Sequence, residues 1–201
     1  MKKEEQQFEH LITEMIDRKY GICDDFLNGE MLQGLRDNLH AYHAKGGMHP
    51  AGIGRRLDFK KNFKTRGDVI RWIEEDTEQG YEIEFLEKIN AFIQYLNRTC
   101  YTQINQFEFH YAYYEAGSFY KRHLDQFKSH SGRKFSLVIY LNEDWSESDG
   151  GNLCLYLDDQ VVNVLPKGGR AVFFRSDELE HEVRQAPGRS RISIAGWLKS
   201  E

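Results

Sequence analysis

The chain has 201 residues, 40% apolar and 29% charged, which suits one soluble domain with a full core. Its net charge of −5 at pH 7 speaks against general nucleic-acid binding, which rests on a basic surface. No apolar run approaches the roughly 18 residues of a membrane span, and the charged opening "MKKEEQQFEH" predicts no signal peptide and no membrane partner.

The first hundred residues read as mostly helical. "EQQFEHLITEMIDR" sets Phe8, Leu11, Ile12 and Met15 at helical spacing, and "GEMLQGLRDNLHAYH" does the same with Met31, Leu32, Leu35 and Leu39. "YGICDDFL" between them is a short strand candidate, and "YEIEFLEKINAFIQYLNRT" a third helix. Residues 46–67, "GGMHPAGIGRRLDFKKNFKTRG", carry many cations and no apolar periodicity. Such a loop is either a solvated connector or a mobile lid. Cys23, Cys100 and Cys154 are far apart and form no CxxC pair, so a reducing cytoplasm is expected, without a disulfide frame or zinc cluster.

From residue 105 the rhythm becomes short aromatic and β-branched runs: "NQFEFHYAYYE", "FYKRHLDQF", "KFSLVIYLN", "GGNLCLYL", "QVVNVLP", "RAVFFRS", "HEVRQ" and "SRISIAGWL". Short strands at near-regular spacing predict a two-sheet antiparallel jelly roll. The expected fold is α+β: a double-stranded β-helix core over 105–198, with a mainly helical layer from 1–104 on one sheet, all in one domain spanning 1–201.

Within "FYKRHLDQF", His123 and Asp125 stand two apart and share a face if the segment is a strand. About 0.5 such pairs arise by chance in a chain with eight histidines, so a third ligand is needed. "ELEHEVRQ" offers His181 on a late strand, and two His with one carboxylate is the non-haem Fe(II) arrangement. His40, His43, His49 and His110 are read as structural or solvated. In "SRISIAGWL", Ile192, Ile194 and Leu198 fall on one face, and Arg191, Ser193, Ala195 and Trp197 on the other. An inward arginine demands an anion, and its planar fork suits the far carboxylate of 2-oxoglutarate. Ser136, Val138 and Tyr140 likewise share a face, and Tyr140 is placed to donate to that same carboxylate.

The stretches "YEAGSFYKRHLDQ", "IYLNEDW", "GGNLCLYL", "VFFRSDELEHEV" and "GRSRISIAGW", in this order, resemble the 2-oxoglutarate- and Fe(II)-dependent prolyl hydroxylases. "GICDDFL" and "RGDVIRWIE" resemble more narrowly the oxygen-sensing, Egl-nine type and its bacterial relatives. The resemblance runs from about Gly21 to Leu198. It implies His123, Asp125 and His181 as iron ligands and Arg191 as the grip on the 2-oxoglutarate tail. Tyr140, with Ser136 beside it, would bind that tail, and Tyr114 would lie close to the co-substrate. It further implies a lid ending at Arg66 and Asp68, with Asp68 paired to Arg133. The implied reaction takes Fe(II), 2-oxoglutarate and O2, with L-ascorbate left open, and hydroxylates a proline in a protein or peptide, releasing succinate and CO2. A cytoplasmic monomer is expected. Two departures stand out: the Tyr114–His123 loop is shorter than in the animal enzymes, and Arg175 occupies the aromatic position of "FFxSD".

Other readings are a small molecule or another side chain as substrate, a nucleic-acid demethylase, and a non-catalytic jelly-roll module. The demethylases typically carry a second arginine six positions beyond Arg191, where this chain has Trp197. A binding module would need neither the triad nor the inward arginine.

Overall fold

A computed structural model of the protein describes residues 3–52, 65–126 and 132–200. Helix α1 (Lys3–Arg18) leads into β1 (Tyr20–Cys23) and α2 (Gly29–Ala44), followed by β2 (His49–Pro50), β3 (Asp68–Ile73) and α3 (Gly80–Cys100). Eight strands follow: β4 (Gln106–Tyr114), β5 (Tyr120–His123), β6 (Arg133–Tyr140), β7 (Leu153–Tyr156), β8 (Val161–Val164), β9 (Ala171–Arg175), β10 (Glu180–Val183) and β11 (Arg191–Lys199). They build a seven-stranded sheet in the order β1-β9-β6-β11-β4-β3-β2 and a four-stranded sheet in the order β5-β10-β7-β8. All the pairings are antiparallel, so the fold is the expected double-stranded β-helix.

Strand alternation divides the interior into two cores. On the outer face of the large sheet, Leu137, Ile139, Phe173, Ile192, Ile194 and Leu198 pack against Phe8, Leu11, Leu35, Phe85 and Phe92 of the helices. On the inner face, Tyr114, Tyr140, Val172 and Phe174 meet Leu153, Leu155 and Val183 of the small sheet. The helical layer therefore covers one sheet, as expected, and leaves the space between the sheets for a site. Asn28 caps α2 by accepting from the Met31 N–H at 2.8 Å, which satisfies one of the open first-turn donors. Gly21 is required by contact: a Cβ there would lie 2.2 Å from the Leu11 carbonyl oxygen, because α1 rests directly on β1.

Three features differ from the sequence reading. Asp68–Ile73, inside "RGDVIRWIE", is a strand that extends the large sheet beyond β4. Its burial is only partial along most of its length, so it carries no clean period-two signal. The expected lid contributes β2 at its start and Arg66 at its end, where Arg66 bridges to Tyr120; residues 53–64 lie outside the described residues. Finally, β5 stops at His123, and Asp125 sits in a bend just beyond it. Among the described residues, no helix is long and apolar enough to cross a membrane.

Candidate active site

His181 lies directly opposite His123 in the β5–β10 pair, so neighbouring strands place the two imidazoles side by side. The bend after β5 turns Asp125 in toward both. His123 Nε2 is 3.4 Å from Asp125 Oδ1, and His181 Nε2 is 3.5 Å from Oδ2. The three ligand atoms all lie within 4.8 Å of one another. The expected convergence is present, although Asp125 reaches it through a bend and not through strand alternation.

The protein also orients these groups. His123 Nδ1 is 2.7 Å from the Lys121 carbonyl oxygen, and His181 Nδ1 is 3.1 Å from that of Leu179. A carbonyl can only accept, so each ring carries its proton on Nδ1 and turns the Nε2 lone pair toward Asp125. Burial works against the Asp125 charge, but a positive charge on His181 or His123, when either ring is protonated, and the Ser136 hydroxyl hold its carboxyl well below the usual carboxylate range. Burial also pushes His181 down, favouring the neutral ring that binds metal. Ser136 Oγ donates to Asp125 Oδ2 at 2.7 Å and lies 2.8 Å from Ser176 Oγ. Ser136, expected beside Tyr140 at the co-substrate tail, thus has its hydroxyl on the carboxylate at this end of the cavity. Four residues from Tyr140 along β6, it lies about 13 Å from that tyrosine.

Arg191 opens β11, opposite Tyr114 in the β4–β11 register, and is 2% exposed. Its Nε donates to the Gly151 carbonyl oxygen at 3.0 Å and its Nη1 to Ser193 Oγ at 3.5 Å. The guanidinium carbon lies 5.1 Å from both the Tyr114 and the Tyr140 ring centroids. Among the described residues, Arg191 Nη2 and the Tyr140 hydroxyl are buried without a hydrogen-bond partner, and no carboxylate pairs with this arginine. A buried guanidinium without an anion is costly, so this end of the cavity is built to receive one. Burial pushes the Tyr140 phenol up to about 12 and raises Tyr114 further, which keeps both as neutral hydroxyls. Asn142, which the sequence reading passed over, fastens the start of β11. Its Oδ1 accepts from the Ile192 N–H and its Nδ2 donates to the Pro166 carbonyl oxygen, both at 2.7 Å.

Arg66 lines the same cavity and pairs with Asp68 through two hydrogen bonds of 2.7 and 2.5 Å. Burial opposes the Arg66 charge, yet the Asp68 partnership raises its pKa overall. The expected Asp68–Arg133 pair is therefore not the one formed. Arg133 is bound instead to Glu108, reaching from β6 across Trp197 of β11 to β4 with its guanidinium 3.4 Å from the Trp197 ring centroid, while Asp68 is taken by Arg66. Arg66 also lies over the Tyr120 ring, which stacks on His123 at 3.6 Å. His110, read from the sequence as structural or solvated, is 3% exposed and lines the cavity with Trp197. The signal was available in "FEFHYAYY", where alternation puts His110 on the face of Tyr114.

Three comparisons bear on this geometry. The model of the 2OG-Fe(II) oxygenase superfamily matches residues 109–199, which contain the triad and Arg191. Human Egl nine homolog 1 is 32% identical over 193 residues, covering 89% of this chain and 44% of that protein; the chain spans about half the length of the curated relatives it matches. A crystal structure of a Pseudomonas putida prolyl-4-hydroxylase superposes with a TM-score of 0.87 at 30% identity, over 97% of this chain and 100% of that one. A Trichoplax adhaerens prolyl hydroxylase, in complex with a hypoxia inducible factor peptide fragment, shares the fold with a TM-score of 0.88 at 24% identity, over 98% and 91% of the two chains. Built on that fold and matched along its length by the bacterial enzyme, the chain belongs to the 2OG-Fe(II) oxygenase superfamily and groups there with the prolyl hydroxylases.

Proposed function

We propose that this chain is an Fe(II)- and 2-oxoglutarate-dependent dioxygenase that hydroxylates a prolyl residue in a protein or peptide. It would act as one catalytic domain, as a cytoplasmic monomer, with L-ascorbate as an accessory and without a nucleic-acid partner. One observation carries the reading: a single cavity has the His123–Asp125–His181 cluster on one wall and the unpaired Arg191 fork at its end.

The residues fit both groups. Two neutral imidazoles and one ionised carboxylate form a facial donor set for Fe(II) that leaves coordination positions open. Arg191 Nη2 and the Tyr140 hydroxyl are two donors awaiting a carboxylate. When bound, iron and 2-oxoglutarate supply the activation of dioxygen, with succinate and CO2 as products. The protein's share is orientation. Lys121 and Leu179 fix the imidazole tautomers, Ser136 fixes the carboxylate, and Val138, Leu153 and Val183 keep the cavity wall apolar. Arg66, Asp68 and Arg133 are assigned to the substrate side of the cavity.

Proline as the target is supported by the likeness to the Pseudomonas putida prolyl-4-hydroxylase. Incubation of the purified chain with Fe(II), 2-oxoglutarate and a cell extract, followed by mass spectrometry, should show single oxygen additions on prolines together with succinate. Oxygen additions confined to other residues or to small molecules would defeat the prolyl assignment, and no succinate at all would defeat the oxygenase reading.

A further inference from the structure

Two buried polar atoms on the cavity wall remain outside this scheme. Among the described residues, His110 Nδ1 and Trp197 Nε1 have no hydrogen-bond partner, and their rings face one another at 5.5 Å. Both residues line the cavity that holds the triad, on β4 and β11. Unpartnered buried donors are rare in folded proteins and call for a partner from outside. An indole N–H donates and cannot accept, so that partner must be an acceptor. The nearby cations are already matched: Arg66 to Asp68 and Arg133 to Glu108. Among the described residues no spare charge awaits an anion there, and a neutral acceptor fits.

We infer that His110 and Trp197 form a recognition point for one backbone carbonyl of the substrate chain, with Trp197 Nε1–H and His110 Nδ1–H as its donors. The inference rests on the prolyl-peptide reading and deepens it. Burial and the Arg66 charge push His110 down to about 3, so the ring stays neutral with a single proton to donate. The recognised feature is main chain, so the pair would tolerate varied side chains while fixing where the peptide lies along β11.

The test uses a peptide that the extract experiment shows to be hydroxylated, synthesised with one thioamide at a time, since sulfur is a poor acceptor. Binding to the intact protein is read by fluorescence anisotropy and turnover by mass spectrometry. One thioamide position should weaken binding to the wild type by about three- to tenfold. That penalty should shrink in His110→Leu and in Trp197→Phe and vanish in the double variant. His110→Asn, whose amide nitrogen falls near the place of Nδ1, should retain it and serves if the leucine variant does not fold. A penalty of equal size in every variant, or none at any position, overturns the inference while leaving prolyl hydroxylation intact. If the wild type makes succinate but modifies no peptide, the prolyl reading falls and takes this inference with it.

Discussion

Two sets of polar groups in the cavity are satisfied in opposite ways. At the triad, the protein supplies the partners: carbonyls of Lys121 and Leu179 hold the imidazoles, and Ser136 holds Asp125. Around Arg191 and along the His110–Trp197 wall, four buried polar atoms have no partner among the described residues. The first arrangement fixes ligand geometry before anything binds; the second leaves specificity to be completed by what binds. A site can thus be rigid where it does chemistry and incomplete where it recognises.

The sharpest challenge to that contrast is removal of a triad member. His181→Ala should abolish 2-oxoglutarate turnover, measured as succinate, with the far-ultraviolet circular dichroism unchanged, because a proposed ligand is lost but little core; residual turnover above about one per cent would contradict the assignment. Next in size is Arg191→Ala, expected to raise the KM for 2-oxoglutarate by about 10- to 100-fold through loss of a charge-assisted fork. Arg191→Lys should fall between the two, since it keeps the charge without the fork, and an unchanged KM in the alanine variant would move the role to another cation.

Ser136→Ala probes the pre-arranged end more gently. It should weaken Mn(II) binding, followed by calorimetry, by about tenfold with little effect on the KM for 2-oxoglutarate. A reversed pattern would return Ser136 to the co-substrate tail. The smallest effect concerns His110 and acidity. Its folded pKa of about 3 lies below the ordinary 6.5, so between those values the unfolded chain binds a proton that the folded chain refuses. Stability falls as pH drops through that window, by up to about 1.4 kcal/mol per pH unit for one group. Urea unfolding from pH 7 to pH 4 should show a shallower decline in His110→Leu than in the wild type, and parallel declines would mean that His110 is not the buried neutral ring described.

Much of this architecture was legible from residue order. The strands from β4 to β11 follow runs of alternating aromatic and β-branched residues, and "SRISIAGWL" separates core from cavity residue by residue. What escaped depended on partners far away in sequence. Strand β3 exists because the edge of β4 is available to Asp68–Ile73, and no local pattern announces it. Ser136 shares its face with Tyr140, so alternation placed it inside correctly but could not say which end of the cavity it serves. Asp68 took its neighbour Arg66 in place of Arg133, a choice made by the path of β3.

Strand β11 also acts as a ruler. Its pairing with β4 runs unbroken from Arg191 to Lys199, and the irregularity in its pairing with β6 comes only at Leu198 and Lys199. Arg191 and Trp197 are thus held six residues apart on one continuous straightedge, about 20 Å along it. Inserting one residue between Ser193 and Trp197 would turn the indole out to the helical side, whereas inserting two would keep its face and lengthen the span by about 7 Å. The distance between the grip on the co-substrate and the proposed grip on the peptide is thereby written into one strand as a count of residues.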